Sequence, residues 1–491
     1  MSETAWSTVR GKSESGAFEL SFGYPDESAY ASAVDQLVGD EVASGIAAQD
    51  PTLWGPAAQD EAGKRLAWVD LPESSKRLVT EISTREVELQ KRGVSRVVLC
   101  GMGGSSLAPE VICGAAGVEL VVLDSSDPDF VRAALEDRLA ETVVVVSSKS
   151  GGTVETDSQR RAFEKAFRDA DIEPAERIVV VTDPGSPLSE LAEQAGYRTF
   201  LADPDVGGRY SALTAFGLVP SGLAGADVAG LLEQAAEMRA ALEVDSVEAP
   251  NFSPSTPDEV LGTYGPEPVL GSVRPASGFG VSVDAPLGAQ LLLWEYATAV
   301  AGRMIGINPF DQPDVESAKA AAREMLDGGA SEPVAAFDDG PVTVYASGSW
   351  LPEGTDSVEA AVSALLDQLD ADHGYVAVQA YLDRHRDASL ANVRSTLASR
   401  TGRPVTFGWG PRFLHSTGQY HKGGPPTGVY LQVTGQPEAD LAVPDRPFTF
   451  HEFLTAQAVG DGQVLADQGR PVLRLHVSSP GDLADVQKAL A

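Results

Sequence analysis

The chain has 491 residues, of which 43% are hydrophobic, and carries a formal charge of −35. This length exceeds one ordinary hydrophobic core, so we expect at least two domains. So acidic a surface repels a phosphate backbone, which argues against nucleic-acid binding, although a locally basic site can still hold a small anion. No apolar run reaches 18 residues and no signal-like leader is evident, so we expect a cytoplasmic protein without a membrane span. Cys100 and Cys113 are expected to be reduced core thiols.

The hydrophobic pattern divides the chain into four parts. Residues 1–93 carry helical patterns and predict a helical N-terminal segment. From residue 94 to 243, apolar strands alternate with amphipathic helices, which predicts a doubly wound parallel α/β sheet. The stretch 244–287 is rich in proline and glycine and predicts irregular structure. A second strand and helix series over 288–491 predicts another parallel α/β domain, which is shortened.

The predicted strands of the two domains can be placed individually from their apolar runs. They lie at 96–100, 119–123, 142–147 and 177–182, and at 342–347, 374–380, 404–408, 428–433 and 471–477.

Two predicted strands end in residues suited to phosphate binding. The first is followed by Gly101-Met102-Gly103-Gly104-Ser105-Ser106, and the second by a loop that carries three hydroxyls and one ammonium. Those four side chains belong to Ser148, Lys149, Ser150 and Thr153. Backbone N–H groups between a strand and a helix bind phosphate, and hydroxyls add donors. The two loops therefore predict a sugar-phosphate site.

The glycine loop has two other interpretations. It partly matches a dinucleotide fingerprint, with Asp124 as the acid that binds a ribose, but Ser106 replaces the third glycine. It can also be a structural turn that binds no ligand. The hydroxyl-rich loop favours sugar phosphate, because a dinucleotide enzyme does not require it.

Three later segments carry residues of possible chemical importance. Arg209 follows two glycines and can stabilise a developing oxyanion, or it can be a surface arginine at a helix start. Gln312 and Lys319 belong to a proline-primed turn and helix, for which a cap and a solvated lysine are the alternative. His415 lies beyond a predicted strand, where it is either an acid–base group or inert. Its spacing from His421 could suggest a metal, but no third ligand is near and we expect none.

Taken together and in this order, these motifs resemble the phosphoglucose isomerase family. The resemblance is to the isomerase half of actinobacterial transaldolase/glucose-6-phosphate isomerase fusions, and it covers about 50–243 and 288–480. It rests on Gly-Met-Gly-Gly-Ser-Ser-Leu-Ala-Pro, Ser-Ser-Lys-Ser, Gly-Gly-Arg-Tyr-Ser, Asn-Pro-Phe-Asp-Gln-Pro-x-Val-Glu and Leu-His-Ser-x-Gly-Gln.

The resemblance implies two sugar-isomerase (SIS) type domains and interconversion of glucose 6-phosphate with fructose 6-phosphate, in glycolysis and gluconeogenesis. It implies no metal and no coenzyme, and it makes a homo-oligomer, most simply a dimer, the expected state. The substrate-binding residues that it implies are Gly104, Ser105, Ser148, Lys149, Ser150, Thr153 and Gln312.

The resemblance also implies three catalytic side chains. Arg209 would stabilise the enediolate, while His415 and Lys319 would manage the proton at the ring oxygen during ring opening. These roles agree with the chemistry of a fixed cation and of an imidazole that exchanges protons near neutrality.

The sequence departs from the family at the residue that moves the proton between C1 and C2. In the family this base is a glutamate in a Glu-Ser-x-Gly-Lys segment, and the Pro/Gly-rich stretch 244–287 stands where that segment belongs. Glu248, Glu259 and Glu267 lie in the stretch without the motif, and Glu295 lies on a predicted framework helix. We therefore assign no catalytic glutamate, and a sugar-phosphate-binding protein with impaired or no catalysis is the alternative.

Overall fold

The computed structural model describes residues 5–12, 16–24, 26–243, 245, 280–311 and 334–490. Gln312, Lys319 and the helix predicted to carry Lys319 lie outside the described residues, as does most of the Pro/Gly-rich stretch.

The first sheet has five parallel strands in the order β4-β3-β5-β6-β7. Its strands are β3 (Arg96–Gly101), β4 (Val121–Leu123), β5 (Thr142–Ser147), β6 (Ile178–Thr182) and β7 (Arg198–Leu201). Every residue of β3, β5 and β6 is buried. Runs of valine fit such strands, because β-branched side chains pack well on a sheet that helices cover on both faces.

Helices connect these strands and form much of the N-terminal part of the chain. Their bounds are α1 (Glu27–Gly39), α2 (Val42–Ala47), α3 (Gln59–Ala62), α4 (Leu71–Ser74), α5 (Lys76–Lys91), α6 (Leu107–Ala116), α7 (Pro128–Glu136), α8 (Val154–Asp169), α9 (Pro174–Arg177), α10 (Pro187–Ala195), α11 (Ala215–Leu223), α12 (Val228–Leu242) and α13 (Leu287–Ile305).

The second sheet has six strands in the order β12-β11-β13-β14-β10-β9. Its strands are β9 (Phe337–Asp339), β10 (Val342–Ser347), β11 (Tyr375–Tyr381), β12 (Val405–Trp409), β13 (Gly428–Gly435) and β14 (Val472–Val477). Its helices are α14 (Val358–Leu366), α15 (Val393–Thr401), α16 (Gly418–Gly423), α17 (Phe450–Asp467) and α18 (Leu483–Leu490).

The α/β fold class predicted from the sequence is confirmed, with one difference in the second sheet. The four strands β12, β11, β13 and β14 are parallel, but β10 pairs antiparallel with β14, and β9 pairs antiparallel with β10. β10 is only half-buried, unlike the fully buried β11. A partly exposed strand near the edge of a sheet tolerates an antiparallel partner more readily than a central one.

The N-terminal segment, which the sequence predicts to be helical, contains two strands before its first helix. The chain begins with an antiparallel hairpin of β1 (Ala5–Lys12) and β2 (Ala17–Tyr24), and β2 also pairs with β8 (Gly280–Asp284). β8 likewise corrects the prediction of irregular structure at the end of the Pro/Gly-rich stretch. β1 and β2 are neighbours in the chain, whereas β8 lies far from β2, and local periodicity does not reveal such a distant pairing.

An aromatic cluster joins the N-terminal segment to the first sheet. Trp68 stacks on Tyr210 with ring centroids 5.2 Å apart, and Tyr210 contacts Phe310 at 5.5 Å. The Tyr210 hydroxyl donates to the carbonyl of Pro309 at 3.4 Å. The turn at Pro309 and Phe310 is therefore packed directly against the Gly-Gly-Arg-Tyr segment.

Within the described ranges, no helix combines the length and apolar character needed to cross a membrane.

Candidate active site

Three turns from distant parts of the sequence meet at the end of β3. We name them the glycine turn (Gly103–Ser105), the arginine turn (Gly208–Tyr210) and the histidine turn (Arg412–His415). A Cβ on Gly103, whose φ is +58°, would lie 2.8 Å from the carbonyl oxygen of His415. A Cβ on Gly104 would lie 2.1 Å from the carbonyl oxygen of Gly208. Only glycine permits this approach on both sides.

A serine fixes the spacing of the first two turns. The Ser211 hydroxyl lies 2.7 Å from the carbonyl oxygen of Gly208 and 3.2 Å from that of Gly104. The sequence-predicted residues Gly104, Ser105 and Arg209 are therefore neighbours, and Ser105 is buried within the glycine turn.

The hydroxyl loop (residues 148–153) connects β5 to α8. The hydroxyls of Ser148 and Thr153 lie 3.0 Å apart, and Gly152 N–H donates to the Ser150 hydroxyl at 3.3 Å. Thr153 occupies the N-cap position of α8, yet its side chain makes no capping hydrogen bond. The first turn of α8 has backbone N–H groups without helical partners, and the paired hydroxyls of Ser148 and Thr153 lie at its start. Groups of these kinds can bind a phosphate.

Lys149 is directed away from the loop hydroxyls. Its ammonium lies 2.7 Å from an Asp183 carboxylate oxygen and also donates to the carbonyls of Asp203 and Pro204, at 3.4 and 3.2 Å. Burial raises the pKa of Asp183, against the lowering effect of Lys149. In this arrangement Asp183 competes with any anion for the ammonium of Lys149.

His415 is paired with a carboxylate that the sequence analysis did not identify. Its Nε2 lies 3.0 Å from Oε1 of Glu155, and the Gln457 amide donates to the same oxygen at 2.7 Å. The side chains of Glu155 and His415 are 7% and 12% exposed. An imidazole oriented by a buried carboxylate is suited to proton transfer. The signal in the sequence is weak, since an acidic residue in the first turn of a helix is common for electrostatic reasons alone.

Arg209 is held at the opposite side of the glycine turn. Its guanidinium donates to the carbonyl of Asp311, the last described residue before Gln312. Arg209 is exposed, while the adjacent Tyr210 is buried in the aromatic cluster. The cation therefore has a rigid base and a free approach from solvent.

The carboxylate considered for ribose binding has a different environment. Asp124 is 1% exposed and lies 3.0 Å from Nη1 of Arg412, so it is occupied within the protein. No group of three or more potential ligands that could hold a metal ion occurs among the described residues.

Comparisons with known proteins agree with these motifs. The chain is 37% identical over 161 residues to a glucose-6-phosphate isomerase of Cyanothece sp., covering 31% of this chain and 30% of that protein. It is 40% identical over 148 residues to a probable glucose-6-phosphate isomerase of Haloarcula marismortui, covering 29% and 34%. It is 37% identical over 185 residues to a glucose-6-phosphate isomerase of Thermus thermophilus, covering 36% and 43%. The match thus spans less than half the length of these curated relatives.

Solved structures give weaker similarity. A hypothetical protein from Thermus thermophilus aligns with a TM-score of 0.39 and 20% identity, covering 94% of this chain and 88% of that one. A glucose-6-phosphate isomerase from Chlamydia trachomatis aligns with a TM-score of 0.36 and 15% identity, covering 96% and 82%. No family model matches the chain. By its sequence over the matched stretch, the chain is related to the phosphoglucose isomerase family, as its motifs indicate.

Proposed function

We propose that the protein is an aldose–ketose isomerase that interconverts glucose 6-phosphate and fructose 6-phosphate in the cytoplasm, through an enediolate. One observation supports the proposal: the arginine turn and His415 both contact the glycine turn, and Glu155, the partner of His415, lies in the first turn of α8 directly after the hydroxyl loop. A phosphate anchor, a fixed cation and an oriented imidazole are the groups that such a reaction needs.

Each group has a distinct task in the proposed reaction. Ser148, Ser150 and Thr153 hold the phosphate with the first turn of α8, and Lys149 joins them when it exchanges Asp183 for the phosphate. His415, oriented by Glu155, moves the proton at the ring oxygen and opens the sugar. Lys319 is proposed to share that task and Gln312 to orient the substrate.

Arg209 is proposed to stabilise the enediolate after ring opening. A fixed guanidinium acts on the negative charge that develops in the transition state and needs no reorganisation at that moment. We also propose a homo-oligomer, most simply a dimer, which sedimentation equilibrium tests directly.

The proton between C1 and C2 still needs a base. Glu295 is poorly suited to this role in its present environment, because burial raises its pKa well above the ordinary range and so disfavours the ionised carboxylate that a base requires. Glu248, Glu259 and Glu267 lie outside the described residues. The departure at 244–287 therefore favours a second candidate function, a sugar-phosphate-binding protein that does not isomerise its ligand.

A coupled assay separates the two candidates. The protein is incubated with fructose 6-phosphate, and glucose 6-phosphate is detected with a dehydrogenase; turnover at an ordinary enzymatic rate supports the isomerase. Thermal stabilisation by hexose 6-phosphates without turnover supports the binding protein. Stabilisation by NAD and not by a hexose phosphate would reject both.

The variant Arg209→Ala tests the role assigned to that cation. We expect kcat to fall by roughly 10²- to 10³-fold with little change in the Kd for hexose 6-phosphate, because the enediolate exists only after binding. Arg198→Ala, which removes an exposed arginine of the same domain, serves as the control. Equal losses in kcat and in affinity would show instead that Arg209 contacts the bound substrate.

A further inference from the structure

We infer that Arg412 is a positioning residue, which holds His415 in the candidate site by joining the histidine turn to Asp124 and Glu110 of the first domain. The inference rests on the proposed function for its catalytic consequence. Its structural part, the placement of His415, stands on the contacts alone.

The histidine turn begins at Arg412 and ends at His415. It follows β12 of the second sheet, whereas the groups that His415 contacts belong to the first domain. Its ring lies against Glu155 of α8, and its carbonyl oxygen and Cβ lie against Gly103. His415 must therefore be held across the boundary between the two sheets.

Arg412 makes the charged connection across that boundary. Its Nη1 lies 3.0 Å from Oδ2 of Asp124, which follows β4, and its Nη2 donates to Oε2 of Glu110 on α6. The side chains of Arg412, Glu110 and Asp124 are 20%, 34% and 1% exposed. A planar guanidinium that contacts two carboxylates has its orientation fixed as well as its position.

A second guanidinium completes the cluster. Arg384 donates to Oε1 of Glu110 at 2.6 Å and to the carbonyl of Val122 at 3.2 Å, and its Nε lies 3.7 Å from Oδ1 of Asp124. Two carboxylates of the first domain thus face two arginines of the second, and the formal charges cancel. Burial alone would raise the pKa of Glu110, but its bonds to Arg412 and Arg384 lower that pKa to about 2.

The charged cluster formed by Arg384, Arg412, Glu110 and Asp124 is placed to control the position of His415 in the candidate site. Arg412 and His415 are the two ends of one short 3-10 turn, so a change in the orientation of Arg412 is transmitted through few bonds. A displacement of about 1 Å at a catalytic group can cost about 10²-fold in rate. Asp124 and Glu110 contact Arg412 and act on His415 through it.

The test compares Arg412→Gln with Arg412→Lys and with the control Arg446→Gln. Arg446 also joins the two domains, through an ion pair with Asp157 on α8, but it lies outside the histidine turn. Histidine labelled with ¹³C at Cε1 gives at most six signals, and the variant His415→Asn identifies the one from His415. We follow that signal together with kcat and KM for the hexose phosphate.

We expect Arg412→Gln to move or broaden the His415 signal and to lower kcat by about 10²-fold with KM changed less than about threefold. Arg412→Lys should restore part of both, and Arg446→Gln should alter neither. A folded Arg412→Gln protein with an unchanged His415 signal overturns the inference. So does a shifted signal with unchanged kcat in an active enzyme.

Asp124 is deeply buried, so Arg412→Gln can also unfold the protein by leaving that carboxylate unpaired. The double variant Asp124→Asn with Arg412→Met removes both charges together. In that variant too, an unchanged His415 signal, or a shifted signal with unchanged kcat, overturns the inference. If the unmodified protein shows no isomerase activity, the proposed function fails, while the His415 signal still decides the positioning role.

Discussion

The contact between Glu155 and Nε2 of His415 determines which imidazole nitrogen carries the proton. An ionised carboxylate only accepts hydrogen bonds, so the neutral ring must be protonated at Nε2 and can accept a proton at Nδ1. The Gln457 amide donates to the same carboxylate oxygen and fixes its position. The tautomer and the direction of the ring are thereby set by residues from two different helices, α8 and α17.

Replacing Glu155 by Gln tests this orientation. The new amide can still accept the hydrogen bond from Gln457, so we expect the fold and the affinity for hexose phosphate to change little. We expect kcat to fall by roughly 10²-fold, because the imidazole loses its carboxylate partner. Steady-state kinetics measure the effect, with the exposed Glu193→Gln as the control. A loss of affinity equal to the loss of kcat would contradict this role.

His421 provides a pH-dependent contribution to stability. Its Nδ1 lies 3.2 Å from the Gln379 amide, and burial, with Lys422 and Arg470 nearby, lowers its pKa to about 4 despite Asp461. Between pH 4 and 6.5 the unfolded chain therefore binds more protons at this residue than the folded one. The stability that neutral His421 contributes is complete above pH 6.5 and is lost as the pH falls toward 4.

The variant His421→Gln isolates that contribution. We expect the unmodified protein to lose about 1.5 kcal/mol more of its unfolding free energy than the variant between pH 6.5 and 5. Urea unfolding at the two pH values measures the difference. His476, with a pKa lowered to about 4, and Asp127, with a pKa raised to about 6 by burial, are present in both proteins and cancel in the comparison. Equal losses in the two proteins would show that His421 does not titrate in this range.

Among the secondary-structure elements, those with strong local patterns were predictable from the sequence. β5 and β10 have the predicted bounds, because runs of valine or alternating residues between turn signals define a strand without further context. β7 was missed, since only Phe200 of its four residues is buried. β8 pairs with β2, which lies far away in the chain, and no local signal indicates that pairing.

A substitution in the glycine turn tests how closely this turn approaches the arginine turn. Gly104→Ala places a methyl group against the carbonyl of Gly208, so the arginine turn must move; we expect a loss of about 1–3 kcal/mol in stability and weaker hexose phosphate binding. Gly114→Ala in the nearby α6 meets no atom within 4 Å and should gain about 0.5–1 kcal/mol from helix propensity. Thermal unfolding and ligand titration compare the two. Similar behaviour of both variants would refute the close approach.

At the level of the whole molecule, only part of the candidate site can be predicted from the sequence. The motifs identified the turns that carry Gly104, Thr153, Arg209 and His415, because each has an unusual local composition. They did not reveal Glu155, whose partner is distant in the chain, or the pairing of Lys149 with Asp183. Tertiary contacts, within the first domain for Lys149 and between the two domains for Glu155, decide such pairings, and local spacing does not encode them.

The net charge of −35 predicts a response of the whole chain to salt. Repulsion among surface carboxylates opposes the compact state, and added salt screens it over a Debye length of about 10 Å at 0.1 M. We therefore expect the melting temperature to rise between 10 mM and 1 M KCl in calorimetry. The exposed ion pairs weaken over the same range, and a melting temperature that stays flat or falls would show that they outweigh the repulsion.

The meeting of the three turns has a consequence for synthesis on the ribosome. The glycine turn, the hydroxyl loop and the arginine turn are all translated well before the histidine turn. At about 5–20 residues per second, the first domain waits roughly 10–40 seconds for His415 to emerge. A nascent chain thus carries the glycine turn, the hydroxyl loop and the arginine turn before the histidine turn, so the first domain first folds without the contacts that His415 makes with Gly103 and Glu155.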